Sequence, residues 1–542
     1  MKGGVMSRRS WLTVGLGWLV LAAALAPMAS APAQTPPLPG SPALLRTDQA
    51  SVRLLDQVRG FARMREQQYR HPDLTAARPR PKDWAAAVDA TWGPGAPTEQ
   101  KLEIFDAFWN AIDQNYASFQ NIKVNWDKVR ARYRPEIAAG VSRGRFQAIM
   151  NYAALELRDS HVNPLDLPVA YGTPLIPGMP IVGIGQWYAN NSGTCGTAQP
   201  DGSTLIYRAA PHHPLGLQAG DRILGYDGQP WKANLNGLLK AQLPLSPIWW
   251  GSSPSAYSDT FMGVANINWH LFKTMDVLKY STGKVVHLPT QLLAETQPYS
   301  GFCDEELDIP SIPKPDFDNF QDVTYGLLPG TNIGYIYVVA WDYVGGPDFT
   351  AAVQALTQDR HTDGLIIDHR FDAGGHILAD DDALDMLFQG QPDVGGFDQR
   401  SDPSNHFAME LAAPLDFWRV GAHDGSEDPR SYDEPIAILE GSGTVSMGDH
   451  AVTRLRAHPL TRTFGRPEAA AFGPIDFVDV DPDWAIHYPF ADVWTFADPT
   501  RYLSHQDLAP DQPVWLTPAD VAAGKDTVVD AAVRWIDTHT HG

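Results

Sequence analysis

Hydrophobic positions change their period along the chain. "KLEIFDAFWNAIDQNYASF" places apolar residues at helical spacing, with Ile104, Phe105, Phe108 and Ile112 on one side. "LLDQVRGFARMREQQYR" before it and "NWDKVRARYRPEI" and "RGRFQAIMNYAALELRDSHV" after it continue that period. Together they predict a helical domain over 51–165 whose aromatics serve helix–helix packing. From about 170 to 310 the pattern becomes β-like, with "MPIVGIGQWYA" and "STLIYRAA" as strands and "PLSPIWWGSSPSAYSD" inside an insertion or linker. From 320 to 540 strands and helices alternate. "NIGYIYVVAW" and "DGLIIDHRFDAGGH" read as strands, "PDFTAAVQAL" as a helix, and "PIAILEGSGTVSMGDHAVTRLRAH" as strand, turn and helix. That alternation predicts an α/β core. The fold class is multidomain α+β.

The N-terminus is a targeting pattern rather than structure. Lys2, Arg8 and Arg9 precede an apolar run from Trp11 to about Ala26, and "APA" offers cleavage after Ala33. Residues 1–33 read as a signal peptide and 34–50, rich in Pro, Ala and Gly, as a flexible leader. "SRRSWLT" resembles a twin-arginine export signal. The run is short for a membrane span, so no stable span is expected after cleavage. The expected location is exported, periplasmic or extracellular.

Composition narrows the partners. The net charge of −22 argues against nucleic acid and anionic membrane. The chain has two cysteines, Cys195 and Cys303, which an oxidising compartment permits to pair. No Cys/His cluster marks a metal site, and no cofactor motif is present. The oligomeric state is not legible.

"HPLGLQAGDRILGYDGQP" (213–230) orders a Gly-Leu turn, Gly-Asp, an apolar strand and an Asp-Gly turn. It resembles the corresponding segment of PDZ domains, which bind an extended peptide by strand addition. The ligand-holding loop would fall near "IVGIG", 181–185. With this segment, "FDAFWNAIDQNYASF…VNWDKVRARYRPEI", "LRDSHV", "NIGYIYVVAW…GLIIDHRFDAGG", "PIAILEGSGTVSMGD" and "LAPDQPVWLTPADVAAGKDTVVDAAVRWI" occur in order. The chain thereby resembles the C-terminal processing, or tail-specific, serine protease family, in its tricorn-core-related branch. The resemblance implies a helical domain, a PDZ-like β-rich domain and a ClpP/crotonase-like α/β protease core. It also implies a polypeptide substrate and neither metal nor cofactor.

On this resemblance the nucleophile is Ser446. Alone, that residue reads as a turn or N-cap serine; after a buried strand and before a helix, it also exposes a hydroxyl beside free N–H groups. The implied oxyanion donors are Met447 and either Gly374 or Gly375. A serine needs a base. Many family members use a lysine at the position of Ala471, but no lysine lies between Lys314 and Lys525, so a Ser–Lys pair within the core is excluded. "LRDSHV" instead places Ser160 and His161 where tricorn-type enzymes carry a Ser-His pair, and a neutral imidazole accepts a proton near pH 7. The family's orienting carboxylate falls on Ser504; Asp507 is the nearest substitute, with Asp159 and Asp449 as further acids among which the sequence does not choose. The expected function is an exported serine endopeptidase. The alternatives are a catalytically impaired peptide-binding protein on the same fold and hydrolysis of a non-peptide ester or amide.

Overall fold

The computed structural model describes residues 83–540 except 171, 174, 185–191, 247–250, 296–308, 311, 316–320, 342–344 and 422–430. The expected signal peptide, the leader, the helix expected within 51–82, most of the "IVGIGQWYA" strand and Cys303 therefore lie wholly or partly outside the described residues.

Helix Thr98–Asn115 buries Ile104, Phe105, Phe108 and Ile112, the side its periodicity marks. Helix Trp126–Ala138 starts where Asn125 Oδ1 accepts the Lys128 N–H at 2.9 Å, and helix Arg143–Leu155 where Ser142 Oγ accepts that of Arg145 at 3.0 Å. The last helix ends ahead of Arg158, whose φ of 50° turns the chain into Asp159-Ser160-His161.

The α/β region is a six-stranded sheet ordered Val323–Leu327, Ile333–Val338, Gly364–Asp368, Ile436–Glu440, Thr461–Gly465, Gln512–Pro513. The first pair is antiparallel and the rest parallel. Strands Ile333–Val338, Gly364–Asp368 and Ile436–Glu440 are buried throughout. Their near-continuous apolar text fits, because a parallel sheet is covered on both faces. Helices Gly345–Val353 and Met447–Leu455 pack on one face through Phe349, Val353, Ala451 and Val452. Helix Thr527–Asp537 covers the other through Val528, Ala532 and Ile536. The turns at the carboxyl ends of Gly364–Asp368 and Ile436–Glu440 thus lie side by side, the usual place for a site in such sheets.

An antiparallel sheet ordered Thr194–Ala198, Thr204–Ala209, Arg222–Tyr226, Thr274–Leu278, Val285–Pro289 contains the "GLQAGDRILGYDGQP" segment. Its Asp227-Gly228 turn has φ values of 52° and 76°, the pair a tight hairpin turn needs. Residues 393–419 and 475–502, where no strands are expected from the sequence, form two further sheets. One joins Asp393–Arg400 to Ala491–Thr495. The other pairs Asn163–Asp166 antiparallel with Trp484–Pro489. That second pairing carries the turn just before Asn163 into the α/β region. Among the described residues no helix is long and apolar enough to cross a membrane.

Candidate active site

Ser446 is the N-cap of helix Met447–Leu455 and adopts φ 60°, ψ −118°. A non-glycine residue rarely takes a positive φ, and the strain persists only where surroundings enforce it. Here Asp449 enforces it: its Oδ2 accepts the Ser446 N–H at 2.8 Å. The same carboxylate accepts the N–H groups of Ala470 and Ala471, each at 2.9 Å. Burial pushes Asp449 well above the usual carboxylate range, against the three N–H donors that favour its ionised form, and the nearby Asp372 adds to the rise.

Gly374 lies against Ser446. A Cβ there would stand 2.5 Å from Ser446 Cβ and 2.9 Å from Met447 N, and its φ is 85°. Only glycine fits on both counts. The Gly374 N–H is already donated to Asp372 Oδ1 at 3.0 Å. Asp372 also accepts from Trp341 Nε1 at 2.6 Å and pairs with His369 Nδ1 at 2.8 Å, all buried. Among the described residues the N–H groups of Met447 and Gly375 make no hydrogen bond. Of the two candidate glycines, Gly375 is therefore the one with a donor to spare.

The strap 468–473 holds Ala471, the position at which the family resemblance implied a lysine. Ala471 is buried and contributes its N–H to Asp449. Ala470 has φ 54°, again positive without glycine. Phe472 O lies 2.8 Å from His450 Nε2, on the helix behind Ser446. Glu468 is fully buried and neither carboxylate oxygen has a hydrogen-bond partner. Burial, with Asp449 and Glu440 nearby, pushes it well above the usual range.

His161 faces the same strap, with the Gly473 carbonyl against its ring. Burial lowers its proton affinity, and the Asp159 carboxylate and that carbonyl oppose the change. Its Nδ1 has no hydrogen-bond partner, and no hydrogen bond joins it to Ser446. Its electrostatic neighbours include His450 and His487, which burial lowers to about 3 and about 4. His487 Nδ1 lies 2.9 Å from the His161 carbonyl. The Ser160 hydroxyl is buried with no partner.

Asp507 lies elsewhere. It is exposed and its Oδ1 accepts the Ser255 N–H at 2.9 Å, at the start of helix Pro254–Gly263. Ser504 is buried, and its N–H lies 3.4 Å from Asp492 Oδ1. Cys195 is buried and disulfide-bonded, while Cys303 lies outside the described residues. The sequence reading singled out neither Tyr116 nor His505, nor Gly473. A signal for Asp159 did exist: an aspartate two residues before a turn residue caps its N–H, and Asp159 Oδ1 accepts the His161 N–H at 2.9 Å.

Residues 332–514, which hold both glycines, the nucleophile turn and the strap, match the model of peptidase family S41. The chain carries an S41 peptidase core. Residues 97–154 match the tricorn protease C1 domain. The S41 family consists of serine peptidases, and the chain resembles the C-terminal processing proteases in their tricorn-related branch. No curated protein sequence matches. Mature CPAF complexed with lactacystin is similar in structure, with TM-score 0.54 and 12% identity over 81% of this chain and 97% of the other. Mature CPAF alone gives 0.52, 12%, 81% and 96%. A peptidase described from Parabacteroides merdae gives 0.45, 14%, 81% and 99%. At these identities the CPAF likeness speaks for the fold of the S41 core and its surroundings.

Proposed function

We propose that the protein is an exported serine-type endopeptidase. Ser446 Oγ attacks a peptide carbonyl; as the C–O bond forms, the Oγ–H proton passes to His161, giving an imidazolium. The oxyanion is held by the N–H groups of Met447 and Gly375. The imidazolium then protonates the leaving amine, and water, deprotonated by His161, releases the acyl group and restores Ser446. The observation that carries this reading is the conformation of Ser446: a strained N-cap under Gly374, beside two N–H groups that nothing else engages. The proton transfer requires His161 to come within hydrogen-bond range of Ser446, and such contacts commonly tighten when substrate binds.

The sheet that contains "GLQAGDRILGYDGQP" is read as a PDZ-like module that holds polypeptide. The ligand-holding loop expected near 181–185 includes Val182–Gly183, which lies outside that sheet and pairs in parallel with Leu245–Ser246. Gly183 also donates to and accepts from the Asn268 amide, each at 2.9 Å. Strand addition there requires those partners to be displaced.

The second reading, an impaired peptide-binding protein, is favoured by the lack of a Ser446–His161 hydrogen bond. Labelling with a serine-reactive fluorophosphonate decides between them. The endopeptidase reading expects labelling of the parent and none of Ser446→Ala. A folded parent that does not label sinks it.

A further inference from the structure

The acid that governs His161 is not legible from position 504 or 507, yet the structure surrounds one carboxylate with the whole neighbourhood of that histidine. Asp159 is buried, and its two oxygens reach four groups from four parts of the chain. Oδ1 takes the His161 N–H at 2.9 Å and the Ser252 hydroxyl at 3.3 Å. Oδ2 takes the Tyr116 hydroxyl at 2.8 Å and lies 3.5 Å from His505 Nε2. Each partner is itself fixed. Ser252 Oγ accepts the Ser160 N–H at 3.0 Å. Tyr116 OH also lies 3.0 Å from His505 Nε2. His505 adopts φ 66° and donates its N–H to Ala470 O at 3.1 Å, the strap that Asp449 ties to Ser446.

The arrangement forms a continuous chain from the serine to the histidine. Ser446 is held by Asp449, Asp449 holds Ala470, Ala470 receives His505, and His505 meets Asp159, which holds His161. Four non-glycine residues at positive φ, Arg158, Ser446, Ala470 and His505, mark this path. Strain at such a density is retained where geometry is being enforced.

We propose that Asp159 is the positioning residue for His161: clamped by Tyr116, Ser252 and His505, it fixes the His161 backbone and faces the imidazole with a negative charge when the ring holds the Ser446 proton. The inference rests on the Ser446–His161 reading. A carboxylate beside an imidazole favours the protonated ring, and the Asp159 charge acts on His161 in that sense. The other titratable groups near His161 are His450 and His487, which burial lowers to about 3 and about 4 and so keeps neutral from pH 5 to 8. Asp159 itself is faced by Tyr116, His505 and Asp492.

The test is the rate of fluorophosphonate labelling of the full chain from pH 5 to 8. Asp159→Asn keeps an acceptor for the His161 N–H and removes the charge. The imidazole then becomes less basic. The acidic limb moves to lower pH, and labelling at pH 7 slows by less than about tenfold per pK unit lost, because the proton is only partly transferred in the transition state. Tyr116→Phe, which frees one carboxylate oxygen without changing the packing, moves the limb the opposite way or slows labelling without unfolding. Asp159→Asn with the parent's melting temperature, rate and pH profile overturns the proposal. If Asp159→Asn does not fold, Tyr116→Phe decides: an unchanged rate and profile overturns it, a changed one supports it. A labelled parent whose His161→Asn form labels equally well rejects the underlying His161 reading instead. A labelled parent, an inert His161→Asn and an unaltered Asp159→Asn reject the role of Asp159 alone.

Discussion

The Asp449 carboxylate holds the Ser446 N–H at 2.8 Å and, through Ala470 and Ala471, the strap 468–473. One buried acid therefore sets both the conformation of the nucleophile and the position of the segment facing His161.

Asp449→Asn should disturb both. An amide presents one acceptor oxygen and turns an NH2 group toward N–H donors, leaving one or two buried donors unpaired. Each costs about 1–3 kcal/mol. The expected outcome is a lower melting temperature together with at least a tenfold slower labelling of Ser446. Equal stability and rate would show that the clamp does not matter.

Gly374→Ala brings a Cβ within 2.5 Å of Ser446 Cβ at a φ of 85°. The turn must move away from the nucleophile, taking the Gly375 donor with it. Loss of one oxyanion donor typically costs about 10²–10³ in rate. Peptide hydrolysis should fall by that order while binding of an uncleaved peptide persists, a split that kcat against KM would read.

Buried histidines set the acid side of stability. His450, His487 and His270 are lowered by burial to about 3, about 4 and about 4. Their unfolded forms take up protons near pH 6.5, so the unfolded state binds more protons below that pH. Stability is present above about 6.5 and is lost progressively toward 4. Thermal melts across this window should slope downward. His487→Gln should flatten the slope even if it lowers the plateau.

Glu468 works in the opposite direction. Its folded form holds a proton well above the ordinary carboxylate range. A raised acid favours folding below its unfolded pKa, and that contribution is lost as pH rises toward the folded value. Glu468→Gln removes the penalty of the buried charge. The variant should gain melting temperature over the parent at pH 8, with a smaller difference at pH 5. A difference independent of pH would rule out this account.

Much of the helical and parallel-sheet architecture was legible, because helix Thr98–Asn115 and the inner strands obey simple periods. The antiparallel strands of 393–502 were not, since polar and glycine-rich runs such as Asp393–Arg400 acquire strand pairing from distant partners. Asp507 was the nearest acid along the chain, but the turn after His505 carries it outward to cap Ser255. Proximity in sequence is a poor guide once a residue at positive φ reverses the backbone.

By itself the sequence determined that a lysine is missing from the core, that Ser446 opens a helix after a buried strand, and that Ser160-His161 follows one. Composition and local period suffice for those statements. Which acid lies against the turn of His161, and what holds Ser446, only the tertiary structure decided. Hydrogen bonds from Ala470 N–H to Asp449 and from Tyr116 O–H to Asp159 join residues 21 and 43 positions apart, and Ala470 and His505 meet through a carbonyl. Such contacts depend on burial and backbone direction, which no local pattern carries.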